Sequence, residues 1–350
     1  MIVGPNDPVL VTGASGFVGR HVVRELARHG FRHIVCLVRR PDAPVWTEGE
    51  LPPGEVEIER VVADLRNPAH CSAATKGVRV IYHLAADVSA KSFAAAFSNT
   101  VIATANLLEA ALAQGTLRRF VHVGSFASYS GLDLPRGAIV DEQCPLERRY
   151  QEIYSPYVMA KTEQDLLVMK YGADYRLPYV IVRPGAVYGP GARERITARV
   201  GISPFGFFMH LGGNNELPLT DVENCAEAIV RAGWIEGLEG EVMNIVDDER
   251  PRCREFLRWY LRNIRRFPYV SIPFWLTWRF CGAWEDFCRK RRYQLPPVFN
   301  RRRAAALWKG HRFTNQKAKR LLDWHPRVSL ATALASYARY WKDRDGQCHG

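Results

Sequence analysis

The stretch "VLVTGASGFVGRHVVRELARHG" (9–30) limits what this chain can fold into more than any other. A short apolar run ends at Gly13. Phe17, Val18, Val22, Val23 and Leu26 then recur at helical spacing until Gly30. The pattern predicts a strand, a tight turn and a helix. Gly13, Gly16 and Gly19 punctuate the turn as GxxGxxG. A tight turn would by itself explain such a triplet. Three glycines between strand and helix let the backbone approach a pyrophosphate, with helix-start N–H groups facing it. The expectation is a dinucleotide site whose phosphate turn comprises Gly13, Ser15, Gly16, Phe17, Val18 and Gly19.

The theme repeats downstream. "HIVCLV" (33–38), "VEIERVVADL" (56–65), "VRVIYHLAA" (78–86), "RFVHVGS" (119–125) and "YVIVRP" (179–184) read as further strands, with helical stretches such as "NTVIATANLLEAALAQG" (99–115) between them. Continuous apolar strands alternating with helices imply a parallel sheet covered on both faces. The fold class expected is α/β, a Rossmann-type doubly wound parallel sheet with a smaller C-terminal substrate lobe. Residues 1–190 are assigned to the NAD(P)-binding domain, with some later segments returning to it, and 191–345 mainly to the substrate lobe. Ligands of such sheets bind outside the carboxyl ends of the strands.

The end of the second strand bears on cofactor choice. An acid there would hydrogen-bond the adenosine ribose, whereas arginine suits a 2′-phosphate. The chain reads Val38, then Arg39 and Arg40, with Asp42 only after a proline. Two solvated loop arginines would look the same, but the pattern favours NADP(H) over NAD(H). Asp64 in "VVADL" ends the third strand, where an acid can meet the adenine amino group.

"SPYVMAK" (155–161) carries a phenol and an ammonium one helical turn apart. Pro156 suits a first helical turn and Ser155 an N-cap, so Tyr157 and Lys161 share a face. Tyrosine titrates near ~10, too high for proton transfer at neutral pH, and a nearby cation lowers that value. A hydroxyl at a strand end would help hold a substrate oxygen. "VHVGSFASYSG" offers Ser125, with Ser128 as the next candidate. Alone, Y-x-x-x-K is more often a surface helix pair; the upstream glycine turn and the strand-end serine change that balance.

Together "TGASGFVG", "ADL", "YHLAA", "VHVGS", "YVMAK" and "RPGAVYGP" resemble the extended short-chain dehydrogenase/reductases, over about residues 12–335. That superfamily includes nucleotide-sugar epimerases and dehydratases, 3β-hydroxysteroid dehydrogenases and dihydroflavonol reductases. The resemblance implies that Tyr157 is the acid/base, that Lys161 holds the nicotinamide ribose and that Ser125 binds the reacting oxygen. It further implies that Asp64 and Leu65 border the adenine, that Leu84, Ala85 and Ala86 line the cofactor and that Pro184 lies near the carboxamide. Many relatives have two hydroxyl residues where this chain has Gly124-Ser125. A gap-free match puts Phe126 at the catalytic position and leaves Ser128 as the nearest hydroxyl.

Three functional classes stay open. A reductase or dehydrogenase acting on a secondary alcohol or ketone is favoured by Arg39 and Arg40, and "IPFWLTWRFCGAWE" resembles the apolar segment of the hydroxysteroid-dehydrogenase branch. A nucleotide-sugar epimerase is favoured by charge: residues 252–320 hold 19 Lys+Arg against 3 Asp+Glu, a local +16, leaving −4 of the total +12 for the rest. Dehydration is disfavoured by Phe126-Ala127, where dehydratases of this family usually carry acids. A redox-sensing Rossmann protein is the remote third class; such relatives often lack the Tyr/Lys pair.

The segment "PYVSIPFWLTWRFCGAWEDFCRKRRYQLPPVFNRRR" (268–303) admits three readings. It is a base-stacking and phosphate-gripping surface, an amphipathic surface for peripheral membrane contact, or a buried helix with a solvated basic face. The 350 residues show neither a secretory leader nor an apolar run near the ~20 residues that span a bilayer. Eight scattered cysteines form no CxxC pair or zinc-spaced cluster, so reduced thiols, a cytoplasmic location and no metal site are expected. Expected partners are a small-molecule substrate, either a nucleotide sugar or a hydrophobic alcohol or ketone, and a second copy in a homodimer. No nucleic-acid motif accompanies the charge.

Overall fold

In a computed structural model the chain is described over residues 1–45, 56–192, 196–204 and 206–347. Parts of the glycine-rich stretch after Pro190, expected to flank the substrate, lie outside these residues. Seven strands form the central sheet: β1 (Val9–Thr12), β2 (His33–Val38), β3 (Glu57–Val62), β4 (Val80–His83), β5 (Arg119–Val123), β6 (Tyr179–Pro184) and β7 (Glu241–Ile245). All pair in parallel, in the order β3-β2-β1-β4-β5-β6-β7. The order reverses direction between β1 and β4, the switch point at which such sheets hold ligands.

Strand residues alternate between two cores, as a two-sided sheet requires. Val9, Val11, Val80, Tyr82, Val121, Val123, Val180 and Val182 face one side. There they meet α1 (Phe17–Arg28), through Val22, Val23 and Leu26. Leu10, Ile81, Phe120 and Ile181 face the other. They meet α2 (Pro68–Ala74), α3 (Ala103–Gln114) and α4 (Pro156–Tyr175). The first face is completed by α5 (Val222–Trp234), through Cys225, Ile229 and Val230.

One feature departs from the sequence reading. The helix expected from residue 99 starts earlier, at Phe93, and its Phe97–Ile102 stretch winds as a π-helix before α3. After Pro190, α5 and β7 return to the sheet, and β7 supplies its far edge. "EVMNI" is short and carries an asparagine, so it lacks the apolar run that marked the other strands. Asn244 is nevertheless fully buried, and its side chain accepts a hydrogen bond from Tyr129 Oη at 2.7 Å.

The later part of the chain forms a lobe beside the carboxyl ends of the strands. It contains α6 (Cys253–Asn263), α7 (Phe274–Lys290), α8 (Arg301–Trp308) and α10 (Leu330–Gln347), whereas α9 (Gln316–Leu322) returns to the sheet and buries Ala318 and Leu322 in its first core. A small sheet joins Gly201–Ile202, Phe208–His210 and Tyr269–Ser271. The seven described cysteines are free thiols, six of them buried. Among the described residues, no helix is long and apolar enough to cross a membrane.

Candidate active site

Gly13 leaves β1 with φ +70, and a Cβ there would sit 3.0 Å from the Ala85 nitrogen. Gly19 lies on the first turn of α1, where a Cβ would fall 2.1 Å from the Gly13 carbonyl oxygen. Any side chain at Gly19 would therefore push the helix off the turn. Gly16 caps α1 without a side chain, and no acid occupies the first turn. The N–H groups that open a helix have no intrahelical acceptor. Those of Phe17 and Val18 thus face an uncapped end suited to an anion. Ser15 is half-buried in the same turn. These residues fit a dinucleotide pyrophosphate.

The neighbouring strand ends gather around this turn. Ala85 N donates to Thr12 Oγ1 at 3.3 Å, which holds the Leu84-Ala85-Ala86 segment against Gly13. Arg39 and Arg40 leave β2 exposed to solvent. Arg40 lies 3.7 Å from Asp42, whereas the charge of Arg39 reaches Asp64 and Asp87 and helps hold both carboxyls low. Asp64 does not end β3, as the sequence suggested; the strand stops at Val62 and Asp64 lies two residues beyond. Its carboxylate is gripped by the Arg66 guanidinium at 2.6 Å, the main reason it stays below the usual carboxylate range. Leu65 is buried beside it. Pro184 closes β6 and is also buried.

The start of α4 agrees with its sequence signature. Ser155 Oγ accepts from Val158 N at 3.3 Å, and Pro156 occupies the first turn. Tyr157 is half-buried and Lys161 buried on this helix. Lys161 Nζ donates to the Val123 carbonyl at 2.8 Å and to Gln164 Oε1 at 2.9 Å. The first bond pins the lysine to the end of β5, two residues before Ser125. An ammonium has three hydrogens, so one remains beyond these two bonds. Burial pushes the Lys161 ammonium down to about 8, against an opposing pull from Asp165.

Gln164 ties this end of the site to the glycine turn. Its Nε2 donates to Thr104 Oγ1 at 2.7 Å and to the Ala85 carbonyl at 3.3 Å. His83 bridges Thr104 at 2.9 Å and Thr12 at 2.8 Å. Burial, then the charges of His122 and Lys161, keep this imidazole well below its usual value and therefore neutral. A continuous buried chain of polar contacts thus runs from Lys161 through Gln164 and His83 to Thr12, which precedes Gly13.

A second network lies under Ser125. Asp165 accepts from Arg183 Nε at 2.8 Å and from His122 Nε2 at 3.0 Å, and Arg183 Nη1 donates to Tyr129 Oη at 3.0 Å. Burial opposes the Asp165 charge, but Arg183 and His122 outweigh it and hold the carboxyl low. A Cβ on Gly124 would lie 2.7 Å from Asp165 Oδ1 and 3.0 Å from Arg183 Cγ. That contact is a physical reason for glycine at this position. Gln164 and Asp165 escaped the sequence reading because polar residues at i+3 and i+4 of a helix ordinarily face water. Their spacing from Lys161 was the one signal available.

The two serines differ sharply. Ser125 is half-buried at the strand end, where its Oγ accepts from Ala127 N at 3.1 Å. Ser128 is fully buried, and its Oγ has no hydrogen-bond partner among the described residues. A hydroxyl that touches substrate must be reachable, so Ser125→Ala is expected to cost about 100-fold in kcat. Ser128→Ala should cost much less. Steady-state kinetics of both variants check this, and a larger loss at Ser128 would transfer the role to it.

Residues 9–245, well over half of the chain, match the model of the NAD dependent epimerase/dehydratase family. The chain belongs to that family. It is thus an NAD(P)-dependent enzyme of the extended short-chain dehydrogenase/reductase superfamily. It is similar to a 3beta-hydroxysteroid-dehydrogenase/decarboxylase (isoform 1) of Arabidopsis thaliana, 26% identical over 346 residues, 93% of this chain and 77% of that protein. A 3-beta-hydroxysteroid dehydrogenase of Mycolicibacterium neoaurum is 25% identical over 358 residues, 96% of this chain and 91% of that protein. The fold is shared with DesIV, a dTDP-glucose 4,6-dehydratase of Streptomyces venezuelae solved with NAD bound. Its TM-score is 0.71 at 22% identity, over 97% of this chain and 98% of that one. This member of the epimerase/dehydratase family thus carries a Rossmann sheet at whose strand ends the glycine turn, Ala85 and Ser125 meet Lys161 of α4.

Proposed function

We propose that this enzyme is an NADP(H)-preferring reductase or dehydrogenase acting on a secondary alcohol or ketone with an apolar body. The observation that carries the reading is the end of β2, where Arg39 and Arg40 stand exposed and no carboxylate takes the place next to Val38. A guanidinium there pairs with a 2′-phosphate in a bidentate, charge-assisted manner. The dinucleotide, when bound, supplies or accepts hydride. Gly13, Ser15, Gly16, Phe17, Val18 and Gly19 hold its pyrophosphate, Asp64 and Leu65 border the adenine, and Leu84 to Ala86 with Pro184 line the remainder. Tyr157 gives or takes the proton at the substrate oxygen, which Ser125 holds by hydrogen bond. Lys161 turns its remaining N–H to the ribose and favours the tyrosinate.

The apolar substrate body is supported by the lobe. A cavity of about 280 Å³ is lined by Ile202, Phe299 and Trp308 among others, with Ser203, Asn300 and Arg303 as its polar members. Asn300 Nδ2 donates to the Ile153 carbonyl at 3.0 Å, which couples this wall to the segment that leads into Tyr157. Residues 191–345 are accordingly assigned most of the substrate choice. The two hydroxysteroid-type relatives support the same class. A nucleotide-sugar epimerase is the second reading, favoured by the local +16 of residues 252–320. A cytoplasmic location fits the free thiols of the described cysteines.

Cofactor titration decides between the two readings. A charge-assisted hydrogen bond is worth about 1.5–3 kcal/mol, so NADPH should bind more than ~10-fold more tightly than NADH. Arg39→Ala should weaken NADPH by a similar factor and NADH little, and adding Arg40→Ala should weaken NADPH further. Calorimetry measures both. Tighter NADH binding by the wild type, or NAD⁺ retained through purification in native mass spectra, would overturn the reductase reading in favour of the epimerase.

A further inference from the structure

Of the seventeen large hydrophobic side chains exposed among the described residues, eight fall between residues 269 and 295. Isolated exposed apolar residues are ordinary, whereas a concentration marks an interaction surface. Their arrangement on α7 is one-sided. Thr277, Cys281, Gly282 and Cys288 are buried, and Cys281 packs with Trp308 in the lobe's core. The opposite face carries Leu276, Phe280 and Phe287 at i, i+4 and i+11, with Trp275 beside them at 62% exposed. Tyr293 and Leu295 continue the patch past the end of the helix.

The charge on this face is positive. Arg279 lies within it, and Arg289, Lys290, Arg291 and Arg292 stand exposed at its C-terminal end. Both acids of the helix are engaged locally. Glu285 accepts from Arg301 N at 3.0 Å, and Asp286 pairs with Arg289 at 3.5 Å. The Arg291 guanidinium sits over the Phe287 ring at 5.6 Å, so charge and apolar surface interleave. A symmetric pairing of two copies through this face would set like charges against each other. An anionic bilayer offers both an apolar interior for the rings and negative headgroups for the cations. The helix has 17 residues, three of them charged before its basic end, so it suits the interface and not a span.

We propose that the α7 face built on Trp275, Leu276, Phe280 and Phe287, with the Arg289–Arg292 run, docks the enzyme onto anionic membrane surfaces. The proposal does not depend on which reaction the site performs.

Flotation of the full-length protein with vesicles tests it. Phosphatidylcholine vesicles with and without phosphatidylglycerol are compared at low and high salt. Anionic vesicles should retain at least ~10-fold more protein than neutral ones, and less at high salt, because each interfacial cation contributes about fivefold and the run holds several. Replacing Arg289, Lys290, Arg291 and Arg292 together by Gln should lower retention at least ~100-fold. Trp275→Ser with Phe280→Ser should abolish it while cofactor titration and urea unfolding stay as in the wild type. No retention, equal retention on neutral vesicles or wild-type retention by both variants would overturn the proposal. So would concentration-dependent dimerisation abolished by Trp275→Ser with Phe280→Ser, which would assign the face to a second copy.

Discussion

Tyr157→Phe is expected to lower kcat by 10²–10⁴-fold, the usual contribution of a positioned proton donor. It should leave cofactor affinity within about twofold, since only a phenol oxygen is removed. The expectation rests on placement: Tyr157 is half-buried on the first turn of α4, and Lys161, one turn on, is fixed to the end of the strand that presents Ser125. Burial that brings the lysine to about 8 still leaves the ammonium in roughly tenfold excess at pH 7, so the cation that favours tyrosinate is in place. Above pH 8 it is progressively lost, and a reaction that depends on it should slow. Turnover is measured on whichever secondary alcohol or ketone the wild type accepts best, with calorimetry for the cofactor. Near wild-type turnover in the Phe variant would remove Tyr157 from the mechanism.

The sequence was most readable where local rules and the fold agree. β2 and β6 occupy the residues their apolar runs marked, and Ser155-Pro156 starts a helix as capping chemistry demands. The glycine turn was legible because Gly13 and Gly19 have no steric alternative. β7 was not: five residues that include a buried asparagine carry too little periodicity, and the strand finds its place only through pairing with β6. The polar networks were also hidden. His83, His122, Gln164 and Asp165 are far apart in sequence and reveal their partners only when α4 lies across the ends of β4 and β5. Composition alone left the aromatic and basic segment with three readings, because it cannot say which face of α7 meets the lobe.

The largest stability effect is expected at Asp165. Its carboxylate is fully buried with Arg183, and His122 completes the set. Asp165→Leu leaves the guanidinium buried without its counter-charge, which typically costs 3–5 kcal/mol, or more than ~100-fold in the folding equilibrium. Asp165→Leu combined with Arg183→Met removes both charges and should recover much of that loss, since an apolar pair avoids the desolvation that the ion pair must offset. Urea unfolding of the two variants measures the difference. The sign with pH follows from the depressed carboxyl: its stabilisation is present in full above the unfolded value near ~4 and is lost as pH falls through the lower folded value. The wild type should therefore lose stability in acid more steeply than the double variant. The effect should also reach the site. Gly124 packs directly on this pair and Ser125 follows it, so the single variant at a temperature where it remains folded should lose kcat as well. A cost below about 1 kcal/mol for Asp165→Leu, the range of exposed ion pairs, would show that water reaches this network and that the floor beneath Ser125 is not dry.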